Sequence, residues 1–211
     1  MTTTETTEPD LSGWLVGHDL MRRQFGLLAS AADDVGARDT ERLDALETHL
    51  AFMIRRLTWH HWHEDNRIFP GLRERDTALA NMLDDLESEH ERLDTRIAAA
   101  ADRSVPFYRR AAALRDLHAT LEAHLRHEES DAVPAIRRLI PASVWDAGHA
   151  EFLEALGADR TLTMVWLLSH LPEPARAGML AELPPDERAR FVSILLPEHR
   201  RRIALLYGPD H

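Results

Sequence analysis

Two stretches of this chain, far apart in sequence, carry the same apolar stripe and end it the same way. Leu46, Leu50, Met53 and Leu57 recur at steps of four and three and lead into His60 and Glu64. In the second stretch, 64 positions on, Arg110, Leu114, Leu117 and Leu121 lead into His124 and Glu128. Such steps keep side chains on one face of an α-helix. Each stretch therefore reads as a helix whose inward stripe ends in a histidine and, one turn later, a glutamate. Two more stripes share the rhythm: Leu79, Leu83, Leu86, His90, Leu93 and Ile97, and before them Leu11, Trp14, His18, Phe25 and Leu28. Four amphipathic helices, each with one inward histidine, are what any fold of this chain must accommodate.

The rest of the sequence agrees with an all-α fold. It shows no sustained alternation of apolar and polar residues and no Asn-Gly or Asp-Gly turn. The first helix is expected over Leu11 to Ala32. The second starts after Asp39 or Thr40 and is stopped by Pro70-Gly71. The third follows Asp76 or Thr77 and fades after Ala101. The fourth is capped by Ser104, carries Pro106 in its first turn and ends near Pro134. Helices this long, joined by short polar turns, predict an up-down-up-down four-helix bundle over 11–139. Residues 1–10, rich in Thr and Glu, are expected to be disordered. Residues 140–211 form a C-terminal extension of short helices, the first capped by Ser143. Within it Leu-Pro-x-x-x-Arg recurs at Leu171, Leu183 and Leu196, each proline placed to open a helix. These helices are expected to pack on the bundle, on a protein partner or on a second copy.

Composition removes several function classes. The 211 residues contain no Cys, which excludes disulfides, iron–sulfur clusters, thiolate zinc sites and cysteine nucleophiles. A formal net charge of −11 argues against a nucleic-acid partner. The longest nearly apolar stretch, Thr161 to Ser169, is well short of the roughly 18 to 20 residues that cross a bilayer. With no leader-like start, the expected location is the cytoplasm. All 25 basic residues are Arg, a bias expected of a GC-rich bacterial genome.

Four inward histidines and two inward carboxylates would cost several kcal/mol of desolvation if left unpaired, where an ordinary bundle would use leucine. Metal ions remove that penalty. Nitrogen and oxygen donors without sulfur suit iron, manganese or zinc, and six residues are too many for one four-coordinate zinc. His18, His60, Glu64, His90, His124 and Glu128 therefore suggest two metal ions, two histidines on each, with both glutamates bridging and one position per ion open to a small ligand. His61, beside His60 and three residues before Glu64, is a candidate additional ligand. His63 and His127 fall about 100° off the ligand stripe and read as solvated or supporting. His49, His118, His149, His170, His199 and His211 read as surface or packing residues. Met53, Leu57, Leu86, Leu93, Leu117 and Leu121, one turn from the ligands, are the expected apolar pocket wall. No buried Lys, Arg or Ser is evident to orient a larger organic substrate.

These residues resemble the hemerythrin family in its bacterial, HHE-type form, whose pattern is one His, then HxxxE, then again one His and HxxxE. Here that pattern reads His18, His60 to Glu64, His90, and His124 to Glu128. Gly17-His18-Asp19, Glu64-Asp65, Ile68-Phe69-Pro70, Glu89-His90, Glu128-Glu129 and Val133-Pro134 also look like the family. The resemblance implies a left-handed bundle, two iron ions with a bridging oxo or hydroxo group, and a small reactant: dioxygen, nitric oxide or hydrogen peroxide. Oxygen carriers of the family place a fifth His one turn after the His of the third helix, where this chain has Asp94. That departure favours catalase-like peroxide breakdown over reversible oxygen binding. The alternative is an oxygen-binding or redox- and iron-sensing module that signals through the C-terminal helices. Ferritin-like diiron oxidases need Glu-x-x-His on two helices, and only Glu87 to His90 meets that requirement.

Overall fold

Residues 8–209 are described by the structure, a computed structural model. Most of the N-terminal stretch expected to be disordered lies outside the described residues, as does His211; Pro9, which is described, is buried. No strand occurs among the described residues. The long helices are α1 (Ser12–Asp34), α2 (Thr40–His63), α4 (Ala80–Ala101) and α5 (Ala111–Leu139), with a short α3 (Phe69–Arg75) continuing α2. Helix α1 packs on α5 and α2, and α4 packs on α5 and α2, so the four close into a bundle in chain order.

Local chemistry sets the ends. Asp39 accepts a bond from the Arg42 amide and caps α2. Asp76 accepts from the Ala78 amide and opens a 3₁₀ turn that leads into α4. The expected Ser104 cap is absent. Instead the Ser104 amide donates to Asp102, a 3₁₀ turn over Phe107–Arg109 follows Pro106, and α5 begins at Ala111.

The prolines do not stop helices where the sequence suggested. Between α2 and α3 the helix widens into a π turn, Glu64–Ile68, so Pro70 falls in the first turn of α3. There its missing N–H costs nothing and its ring avoids a regular preceding turn. The same device recurs near the C-terminus, where a π turn over Phe191–Leu195 precedes Pro197 in the first turn of α10 (Leu196–Tyr207). The third Leu-Pro motif therefore continues a helix instead of opening a separate one. Pro134 lies inside α5, which runs on to Leu139.

The C-terminal extension comprises α6 (Ala142–Ala155), α7 (Arg160–His170), α8 (Glu173–Glu182), α9 (Pro185–Arg190) and α10. Pro141, not Ser143, stands at the cap of α6. Val165, Leu168, Leu180, Phe191 and Leu196 make a small core of its own. Trp166, Ile203 and Leu206 belong to the core of the bundle itself.

Inside the bundle the core is split. Leu57, Leu93, Leu117 and Leu121 lie in one apolar cluster. Leu11, Ile68, Leu83, Leu86 and Ala132 lie in another. Along each long helix the boundary between the two falls at a histidine or glutamate of the motif, so these residues form a polar layer between two apolar halves.

Candidate metal centre

The six residues read from sequence converge in that layer, all at 8 % exposure or less. His18 comes from α1, His60 from α2, Glu64 from the first position of the π turn, His90 from α4, and His124 and Glu128 from α5. They fall into two groups whose donor atoms are mutually close. One holds His18, His60, Glu64 and Glu128. The other holds His61, His90 and His124. His61, a candidate additional ligand from sequence, falls in the second group, so the histidines divide three against two.

The carboxylates reach both groups. Glu64 presents Oε1 to His60 Nε2 at 2.9 Å and Oε2 to His90 Nε2 at 3.6 Å. Glu128 Oε2 lies 3.6 Å from His18 Nε2 and 3.8 Å from His124 Nε2. Within the second group His90 Nε2 and His124 Nε2 are 3.2 Å apart.

Outside this ring a second set of carboxylates fixes the imidazoles. His18 Nδ1 pairs with Glu129 at 2.9 Å, His90 Nδ1 with Asp65 at 2.7 Å, and His124 Nδ1 with Glu89 at 3.0 Å. A carboxylate on Nδ1 holds the proton there and turns the Nε2 lone pair inward, toward a metal position. The widened turn after His63 lets the consecutive Glu64 and Asp65 both serve the centre. Glu89 also takes His127 Nδ1, and Arg22 donates to Glu129, so His127 supports the centre without joining it. Sequence reasoning missed this layer, because Asp65, Glu89 and Glu129 sit on the flanks of their helices and read as solvated charge. The Trp14 indole N–H donates to Glu64 Oε1 at 3.2 Å.

Whether these residues fit metal ions can be judged from what they leave unmet. His18 Nε2, both nitrogens of His61, Glu64 Oε2 and both oxygens of Glu128 are buried without a hydrogen-bond partner. Native proteins rarely leave such atoms orphaned. Here they all face one layer and are all metal donors. Burial, and then the neighbouring charge of Glu64, pushes the Glu128 carboxyl well above the usual carboxylate range. Burial also pushes His61 well below the ordinary histidine value and His124 down to about 4. The arrangement is costly as a bare protein and is relieved by cations, so the donors fit.

The remaining expectations divide. Met53, Leu57, Leu86, Leu93, Leu117 and Leu121 are all fully buried. None lines the large cavity beside the centre, which opens between the bundle and the C-terminal helices and reaches His60. Facing leucines fill one another's space inside the bundle, and the gap is left where two helical layers meet. That cavity also has the buried Arg56 in its wall, contrary to the expectation that no such residue is available. His49 and His170 both bond to Gln24 at the junction with the extension, as packing residues should.

A four-helix bundle with a buried layer of five histidines and two carboxylates defines a metal-binding class. The chain belongs to the hemerythrin HHE cation-binding family, whose model matches residues 11–136 and so contains every donor named above. Neither the curated proteins nor the solved structures compared with it gave a significant match. Among the described residues no helix is long and apolar enough to cross a membrane.

Proposed function

We propose that this chain holds two iron ions and binds a small oxidant, with dioxygen and nitric oxide ahead of hydrogen peroxide. The observation that carries the ordering is the position of His61 in one group with His90 and His124. From sequence, the lack of a fifth histidine after His90 favoured peroxide breakdown. With His61 supplying that nitrogen from α2, the ground for that preference is removed.

Two iron ions held by these residues would supply electrons to a small oxidant and an open coordination position for it. The residues of the chain do the rest. If both glutamates bridge, the three-histidine side has five protein donors and the two-histidine side four, which leaves room for one small ligand on the latter. His18 and His60 are oriented for that side, and Trp14 steadies Glu64 through its indole N–H. The apolar halves above and below the layer offer few proton donors, which disfavours the proton transfers that peroxide disproportionation needs.

Mixing the reduced, iron-loaded protein with dioxygen tests the reading: the expected result is a coloured adduct that vacuum reverses. Immediate irreversible oxidation, with oxygen evolved when the oxidised protein meets peroxide, would overturn it in favour of catalase-like turnover.

A sensing role has one specific observation behind it. Trp14, bonded to Glu64, packs edge-on against Trp145 of α6 with ring centroids 5.9 Å apart. A change at Glu64 is thereby one side chain away from the C-terminal extension. Limited proteolysis of residues 140–209 that differs between the reduced and oxidised protein is its expected sign.

A further inference from the structure

The cavity between the bundle and the C-terminal helices has a volume of about 620 Å³, within the roughly 300–1,000 Å³ typical of small-molecule sites and far larger than a diatomic needs. Its walls are aromatic and sulfur-rich, with Trp14, Trp145, Met164, Leu167 and Met179 among them. Among the described residues its charged side chains are Arg56 and Arg160, with no Asp or Glu, in a chain whose net charge is −11.

Two donors in this wall are buried and unused. Arg56 is 6 % exposed; its terminal nitrogens bond to Asp159 and Thr163, but its Nε has no partner. Trp166 is 5 % exposed and its indole N–H also has none. Both side chains line the cavity and both pack against Phe52. Buried N–H groups of this kind call for an acceptor.

Two glycines keep the space open. Gly13 and Gly17 lie one turn apart inside α1 and both line the cavity. Glycine weakens a helix interior, and its usual compensation is the close approach of another backbone. Here a Cβ at either position would meet nothing within 4 Å. Both glycines therefore leave open space at the cavity wall.

We infer that this cavity is a binding site for an amphipathic monocarboxylic acid, its alkyl or aryl body among the tryptophans and methionines and its carboxylate at Arg56 Nε and Trp166 Nε1. Arg160, exposed at the rim, adds attraction for the acid. His60 lines the same cavity, so the bound acid sits against a residue of the metal centre.

Titrating dodecanoate, below its micellar range, into the full chain tests the site by calorimetry and tryptophan fluorescence. Metal-free protein is used as well as metal-loaded, so the result does not depend on any oxygen chemistry. One saturable site is expected, and dodecanol should bind about tenfold more weakly, as loss of a charge-assisted hydrogen bond implies. Trp166→Phe, which keeps the ring and removes the donor, should weaken dodecanoate but not dodecanol. Gly13→Phe and Ala175→Phe, both at exposed lining positions, should abolish binding while helicity and metal content stay unchanged. Absence of saturable binding, equal affinity for the acid and the alcohol, or undiminished binding in both Phe variants would overturn the inference.

Discussion

The imidazole rings of His61 and His90 stack with centroids 4.1 Å apart and 13° from parallel, although they come from α2 and α4. Both nitrogens of His61 are buried without a partner, and a cation on its lone-pair nitrogen would remove part of that cost. His61→Leu should therefore lower the metal content from about two ions per chain toward one, since the histidine-only group would fall from three nitrogens to two. His63→Leu should leave the content unchanged. Elemental analysis of both variants checks this, and equal effects would mean that His61 is not a ligand.

Glu129 follows Glu128 on the flank of α5, where sequence alone reads it as solvated charge. The structure instead gives it His18 Nδ1 and Arg22 as partners, and the bond to His18 holds its carboxyl at about pKa 2. Glu129→Ala frees the His18 ring and should weaken metal binding by about 10- to 100-fold, the range typical of carboxylates behind ligating histidines. Competition against a chelator of known affinity measures the change. Glu129→Gln, which still accepts a hydrogen bond, should recover part of it.

The contrast between Glu128 and Glu129 shows what the sequence could disclose. Helical periodicity places His60, Glu64, His124 and Glu128 on inward stripes without reference to anything else, so the ligands and the bundle were legible. His61 lies about 100° around the helix from His60, and only the packing of α4 against α2 decides that it also points to the centre. Asp65, Glu89 and Glu129 look like ordinary surface charge until the neighbouring helix supplies their histidines. Pro70 reads as a terminator and Pro197 as the start of a separate helix, because a π turn has no sequence signature strong enough to anticipate. The cavity depends on how the extension docks, and periodicity carries no information about that.

Docking of the extension should weaken in mild acid. His49, His170 and His199 gather where α10 and α7 meet the bundle, with Gln24, Tyr207 and Arg202 around them. Burial, then Arg202, holds His49 down to about 3; burial, then His170, holds His199 down to about 4. An unfolded or undocked chain takes up protons near pH 6.5, so between that value and about 4 it binds more protons than the native state. Stability is then full above pH 6.5 and falls as pH drops, by up to ~1.4 kcal/mol per unit for each histidine. Thermal melts of the metal-free protein from pH 7.5 to 4.5 should show this, and His49→Gln should flatten the slope.

Removing residues 140–211 should leave the ligands in place but damage the bundle. Trp166, Ile203 and Leu206 are buried in the bundle core, and the first alone, cut to Ala, should cost about 3–5 kcal/mol. A chain ending at Leu139 is expected to load metal, melt at a much lower temperature than the full chain and aggregate through the exposed α1 and α2 surface. Equal melting temperatures for the two chains would mean that the extension is only loosely attached.

The two central carboxylates set function against stability. Glu64 and Glu128 are wholly buried, and neither oxygen of Glu128 has a hydrogen-bond partner. Without metal, burial and the charge of Glu64 force Glu128 to hold its proton, so it contributes desolvation cost and little that stabilises the fold. Replacing a buried charged group by an apolar one of similar volume is often neutral or stabilising by about 1–4 kcal/mol. Glu128→Leu should accordingly make the metal-free protein more stable than the wild type. With metal present the order should reverse, because ligand binding stabilises the wild type by about 2.7 kcal/mol at 100 times the dissociation constant, and the variant has lost its bridge. Denaturant melts of both proteins, with and without ferrous iron under anaerobic conditions, give the four stabilities needed. A variant that is less stable in both states would mean that Glu128 holds the bundle together by contacts of its own.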